Sequence, residues 1–316
     1  MATILTITLP IYLLIGLGFL SVRTGYFAGS DIRAIGTFVV RFALPALIFL
    51  AVGTATPSET LHWGLFAVYL SASLALFATC ILVGRLVFRA RWSMLGVVGL
   101  GMVGSNSAFV GFPLLSILYP DLAVTIFATV MLLENVILIP LALAVADAGE
   151  RSTSTPLQGF LKGLKGLIKN PLVLSIIVAL AYSLSGLTLP EPILRPIEML
   201  RPIASPVALF AVGGTVAAAT LASARDMAAP MGVILVGKLV LHPLFFLAAT
   251  LLLPALPPDI RHAGLINAAC PMLSIFPLIA MAYGRELLAS TALMVTTAAS
   301  FVTISGLLWI ISLAAS

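Results

Sequence analysis

Ten stretches of about twenty mostly apolar residues constrain this chain more than any other feature. They run over 3–22, 32–55, 61–84, 92–118, 121–146, 170–189, 202–223, 229–253, 261–283 and 287–313. A helix of that length satisfies its backbone polar groups internally, which hydrocarbon demands of any spanning segment. The expectation is an all-α polytopic membrane protein of ten transmembrane helices. Composition points the same way. Charged residues make up 9% of the 316 residues, against about 25% in soluble domains, too few to cover a water-soluble fold. The first run lacks a basic leader and a small-residue cleavage site, so it reads as a span rather than a cleaved signal.

The links are short except for 147–169. That stretch is polar at first. It then sets Leu157, Phe160, Leu161, Leu164, Leu167 and Ile168 on one face, with Lys162, Lys165 and Lys169 elsewhere. This suits an amphipathic helix at the cytoplasmic surface. A second interfacial piece is expected at 190–202. With the N-terminus outside, Arg23, Arg33, Arg85, Arg89, Arg91, Arg151, Lys162, Lys165, Lys169, Arg225 and Arg285 fall in cytoplasmic links. Arg195, Arg201 and Arg261 fall outside. The bias follows the positive-inside rule and places both termini outside, in a plasma (inner) membrane. Trp63, Trp92 and Trp309 sit near span ends, where indoles favour the interface.

The two halves echo each other. Five spans lie in 1–146 and five in 170–316, with 147–169 as a linker. Pro10 and Gly25 recur as Pro171 and Gly186; RFALPALIFLAVG at 41–53 recurs as RPIASPVALFAVGG at 201–214; Pro113 and Tyr119 recur as Pro277 and Tyr283. An odd number of spans inverts the second half. Inverted five-helix repeats with broken helices at the midplane are a device of secondary transporters.

Spans four and nine carry the breaks. Span four holds Gly99, Gly101, Gly104 and Gly111, then Ser105, Asn106 and Ser107, then Pro113. Span nine holds Asn267, Cys270, Pro271, Ser274 and Pro277. Proline within a helix costs about 3 kcal/mol through a lost bond and a ring clash. In lipid, such breaks persist where they are buried in protein or line a wet cavity. Half-helix N-termini there offer free N–H groups and partial positive charge, suited to a carboxylate. Simple kinks in closely packed helices are the plainer alternative. Both breaks fall at matching repeat positions, which favours a site.

Few ionisable groups lie deep. Glu134, beside Asn135, and Lys238, near His242, fall close to mid-span. A charge at the bilayer centre costs about 2.5–3.5 kcal/mol on insertion scales, so each needs a reason. We expect Glu134 and Lys238 to face each other inside the bundle, either polarising a site and coupling it to ions or locking two helices. Arg41 is shallower and within reach of the interface. His242 is a candidate proton relay.

Several function classes are excluded. Cys80 and Cys270 stand alone in apolar runs, without a disulfide framework or metal spacing. The net charge of +5 comes from scattered residues, not from a basic stripe for nucleic acid. Neither H-E-x-x-H nor a G-x-S-x-G elbow with a histidine partner is present, so no enzyme, cofactor or metal is expected.

Five segments together resemble the auxin efflux carrier family, in particular its bacterial malate/malonate-permease-like members and the related plant PIN proteins. They are RFALPALIF in span two, SNSAFVGFPLL in span four, KNPLVLSIIVAL opening span six, GKLVLHPLFF in span eight and AACPMLSIFPLIA in span nine. The resemblance spans the whole chain. It implies a fold like the bile-acid/sodium symporters. Spans one, two, six and seven would form a scaffold and homodimer interface, and spans three to five and eight to ten a transport domain moving as an elevator. It also implies that Asn106 lies by a substrate carboxylate and that Pro271 marks the second crossover. The long hydrophilic central loop of plant plasma-membrane PINs is absent, which speaks against auxin itself.

The resulting expectation is a carrier for a small mono- or dicarboxylate, proton-coupled or uniport. The substrate-binding candidates are Ser105, Asn106, Ser107, Pro113, Asn135, Asn267, Cys270, Pro271, Ser274 and Pro277; Glu134, Lys238 and His242 are coupling candidates. A sodium-coupled symporter is the first alternative. Sodium wants several oxygen ligands, carboxylates among them, and Glu134 is the one deep carboxylate. A channel or sensory scaffold is the other, though a channel should show pore rings rather than crossed breaks.

Overall fold

The computed structural model describes residues 2–53, 61–148, 171–218, 227–253 and 255–314, and every regular element among them is helical. The helix expected within 147–169, together with Arg151, the three lysines and Arg225, lies outside the described residues.

The helices in chain order are α1 (Ala2–Arg23), α2 (Gly29–Gly53), α3 (Trp63–Leu86), α4 (Trp92–Val103), α5 (Ser107–Leu118) and α6 (Ala123–Asp147). After the undescribed stretch come α7 (Pro171–Ser185), α8 (Glu191–Leu200), α9 (Ala204–Ala218), α10 (Ala228–Leu252), α11 (Pro258–Ala268), α12 (Phe276–Met281) and α13 (Glu286–Ala314). Six continuous stretches are long and apolar enough to cross a membrane: α2, α3, α6, α8 with α9, α10 and α13. The apolar run 92–118 is divided into α4 and α5, and 261–283 into α11 and α12, as the glycines, serines and prolines predict. The piece expected at 190–202 is α8, which has no buried residue and joins α9 through a turn at 201–203.

Four helices widen into a single π-turn, each two residues before a proline. The turns are Val39–Ala43 before Pro45, Ser107–Gly111 before Pro113, Glu134–Leu138 before Pro140 and Gly237–Leu241 before Pro243. A proline lacks the N–H that would bond the carbonyl four residues back, and its ring crowds that carbonyl. One extra residue in the turn relieves the crowding. The residue before each proline then bonds five back: Leu44 to Val39, Phe112 to Ser107, Ile139 to Glu134 and His242 to Gly237. The four turns carry Arg41, Ser107, Glu134 with Asn135, and Lys238, so the deep polar residues sit where the regular ladder is already interrupted. Such bulges concentrate at functional sites.

Two sets of helices pack closely. α1 lies along α9, α9 against α2, and α7 along the second half of α2. α4 packs on α6 and α10, and α3 packs on α4 and α10. At the α1–α9 crossing the backbones touch: a Cβ on Gly18 would overlap the Phe210 carbonyl, and one on Gly213 would overlap that of Ile15. The repeated glycines Gly25 and Gly186 close α1 and α7 with φ of 81° and 64°, a left-handed conformation that glycine adopts without strain. The core centres on Tyr69, Phe127, Phe246 and Phe276, with Lys238 among the largest fully buried side chains. Leu13, Leu17, Leu20, Leu82, Leu251 and Leu252 are exposed, an outer face suited to lipid rather than water.

Candidate functional site

The two breaks meet. Ser105 and Met272 form an isolated antiparallel bridge, the one strand-like pairing among the described residues. The Asn106 amide donates to the Pro271 carbonyl at 2.7 Å. Each extended segment thereby satisfies backbone groups that neither half-helix could serve. Beyond the crossing, Asn106 caps α5: its Oδ1 accepts from the Phe109 amide at 3.3 Å, replacing one bond that the first helical turn lacks.

Around the crossing lies a continuous polar network. Glu134 Oε1 accepts from the Ser105 amide at 2.6 Å, while Ser107 Oγ stands 3.5 Å from Oε2. Lys238 Nζ donates to Ser105 Oγ at 2.6 Å and to the Ala268 carbonyl at 3.1 Å, and meets His242 Nδ1 at 2.9 Å. Those three acceptors match the three N–H donors of an ammonium. His242 Nε2 continues to Ser73 Oγ at 3.0 Å. The Tyr69 hydroxyl joins Ser105 Oγ at 2.7 Å, and Asn267 Nδ2 donates to that hydroxyl at 3.3 Å and to Ser107 Oγ at 3.1 Å. Glu134, Lys238, His242, Ser105 and Asn267 are fully buried. The sequence expectation had Glu134 and Lys238 facing each other, with an ion pair as one reading. They are not paired directly, for Arg195–Glu198 is the one ion pair within 4.0 Å among the described residues. Ser105 stands between them, its amide toward the carboxylate and its hydroxyl toward the ammonium.

One face of this network opens onto a cavity of about 280 Å³. Of the expected binding residues, Ser105, Asn106, Ser107, Asn135 and Ser274 line it, and so does Glu134. The opposite wall is apolar: Val40 from α2, and Pro171 and Leu172 from α7. The other candidates lie behind the wall. Asn267 supports Ser107 and Tyr69, Cys270 donates its thiol to the Ile266 carbonyl at 3.4 Å, and Pro271 supplies the crossing carbonyl. Pro113 sets the π-turn of α5, and Pro277 opens α12. Lys238 and His242 do not line the cavity; Lys238 touches its wall at Ser105, and His242 stands behind Lys238. Gly111 lets α5 approach the second break, since a Cβ there would overlap Asn267 Oδ1.

Two buried atoms have no hydrogen-bond partner among the described residues and belong to this site: Asn106 Nδ2 and Asn267 Oδ1. A buried unsatisfied donor costs about 1–3 kcal/mol. Asn106 is 2% exposed and borders the cavity, so a ligand acceptor there would satisfy its amide. No group of three or more His, Cys, Asp or Glu converges on a metal position among the described residues.

The sequence reading missed Tyr69, Ser73 and the cavity wall of Val40, Pro171 and Leu172. Tyr69 and Ser73 are a phenol and a hydroxyl four residues apart near the middle of α3; a hydroxyl that deep needs a partner, and that signal was available.

The family model described as membrane transport protein matches residues 3–309. A protein of Rhizobium meliloti (strain 1021) named "Putative malonate transporter" is 28% identical over 98% of this chain and 97% of its own length. "Uncharacterized transporter YfdV" of Escherichia coli (strain K12) is 25% identical over 83% of this chain and 86% of its own. "Lysosomal cholesterol signaling protein" of Mus musculus is 22% identical over 82% of this chain, which covers 31% of that longer protein.

Proposed function

The chain belongs to the membrane transport protein family, that of the auxin efflux carriers, and on that premise we propose that it is a secondary carrier for a small organic anion. It is a multi-pass membrane transporter and not an enzyme. The observation that carries the finer reading is the crossing itself: an unpartnered, buried Asn106 amide at the mouth of a half-helix, beside a cavity of about 280 Å³. That volume lies just below the usual range of ligand pockets, about 300–1,000 Å³, so it suits a molecule of a few carbon atoms. The name of the Rhizobium relative makes malonate the first substrate to try.

The cavity lies between Val40, Pro171 and Leu172 on one side and the crossing with α6 on the other. This placement supports a scaffold of spans one, two, six and seven against a transport domain of spans three to five and eight to ten, moving as an elevator. The paired glycine closures Gly25 and Gly186, with their positive φ, support the inverted five-helix repeat. In this reading the chain is a homodimer of the inner membrane with both termini outside, oriented by its arginine and lysine bias.

Uptake of labelled malonate into proteoliposomes is the test. Saturable uptake is expected. Asn106→Asp keeps the capping oxygen but replaces the donor with a second carboxylate. It should fold and lose uptake at least tenfold, since a hydrogen bond to a charged group is worth about 1.5–3 kcal/mol. Uptake that rises linearly without saturation, or an Asn106→Asp variant with unchanged uptake, would reject the reading.

A further inference from the structure

The polar network has a charge balance that bears on ion coupling. Lys238 donates to three acceptors and Glu134 accepts a backbone amide, with Ser105 joining them. One buried cation and one buried carboxylate offset each other. The cavity is walled by Glu134 and holds no lysine or arginine among its lining residues. A ligand carboxylate at Asn106 Nδ2 would therefore bring a second negative charge beside Glu134, with Lys238 the nearest buried cation. Two buried carboxylates close together do not both stay ionised, because one gains proton affinity. We infer that the site takes its carboxylate ligand together with one proton, and that Glu134 holds that proton.

The hydroxyl of Ser107 links the two events. With Glu134 ionised, Ser107 Oγ is the donor toward Oε2, 3.5 Å away, and accepts from Asn267 Nδ2 at 3.1 Å. With Glu134 protonated, the Oε2–H donates to Ser107 Oγ, whose own proton turns into the cavity toward the ligand. The carboxyl gains the proton from solvent and no other covalent bond changes. Protonation thus removes a negative charge and adds a donor at the same place. Ser107 and Asn106 then present two N–H or O–H donors to one carboxylate.

The other titratable groups around Glu134 are already engaged. Lys238 and His242 come from α10, Tyr69 from α3 and Cys270 from the second break, each in the bonds given above. The facing segments of α2 and α7 contribute Val40, Pro171 and Leu172, and Arg41 beside Val40 is exposed.

This inference rests on the carrier reading, and its test separates the two. Purified full-length protein in weakly buffered detergent is mixed with malonate and with acetate. Binding is followed by calorimetry and proton uptake by an indicator dye, over a pH range in which the ligand is fully ionised. Binding should draw up to one proton per carboxylate held. Affinity should weaken by about tenfold per pH unit as pH rises above the free-state titration of Glu134, and level off below it. Glu134→Gln mimics the protonated form, so it should bind without proton uptake and without a pH slope. Ser107→Ala should keep the proton uptake and bind more weakly. If a probe binds wild-type protein with no proton uptake at any pH in that range, or Glu134→Gln keeps the wild-type slope, the inference is overturned and the carrier reading stands. If no small carboxylate binds, both fall. The wild-type uptake decides the matter even where a variant does not fold.

Discussion

Replacing Lys238 by Met tests whether the buried network is one electrostatic unit. The methionine keeps much of the side-chain volume and removes the cation. Glu134, fully buried, then lacks a neighbouring positive charge, and Ser105 Oγ, the Ala268 carbonyl and His242 Nδ1 each lose a donor. Removing one partner of a buried charge pair costs about 3–5 kcal/mol, the uncompensated charge being the larger part. Glu134→Gln makes the converse defect, an ammonium without its carboxylate. The double variant has neither charge and is left with the three unmet acceptors. It should be more stable than the sum of the singles implies, with a coupling of about 2–3 kcal/mol, near the upper range for interacting residues. Reversible unfolding of all four proteins in mixed micelles gives the cycle. Additivity within about 0.5 kcal/mol would refute the argument, because it would mean that Ser105 insulates the two charges instead of joining them.

Two further variants probe the frame. Gly213→Ala puts a methyl group into the Ile15 carbonyl across the α1–α9 crossing; overpacking of this kind costs about 1–3 kcal/mol, and an unchanged unfolding midpoint would contradict the close contact. Pro140→Ala restores an N–H two residues after the Glu134–Leu138 turn. Closing that turn to an α-turn re-aims Glu134 by about 100°, one residue's rotation, so transport should fall while the protein stays folded; unchanged transport would show that the π-turn does not set the carboxylate.

The membrane character, the two interrupted spans and the depth of Glu134 and Lys238 were legible in the sequence because each depends on run length, proline position or residue count. The expectation that Asn106 and its two flanking serines line a site follows from the same local signals. The network was less legible. Ser105 bridges Glu134 and Lys238 across 29 and 133 residues of chain, a relation that periodicity does not carry. The Tyr69 hydroxyl called for a partner, but nothing local in the sequence named Ser105 as that partner. The π-turns have a local cause, a mid-helix proline that crowds the turn before it, as with Pro45 after Arg41 and Pro140 after Glu134. Of these four prolines, the sequence reading took up Pro113 alone as a break. The division of 191–218 into an exposed α8 and a buried-faced α9 follows from Arg195, Glu198 and Arg201 interrupting the apolar run.

The glycine contact between α1 and α9 has a mechanical consequence. With Gly18 under the Phe210 carbonyl and Gly213 under that of Ile15, the two helices are keyed at one register. Sliding one past the other by a turn would bring Leu14 or Leu209 in place of a glycine against main chain. The pair therefore behaves as a single strut. Whatever moves when this protein works, the relative height of these two rods stays fixed, and displacement must be taken up where side chains rather than backbones meet.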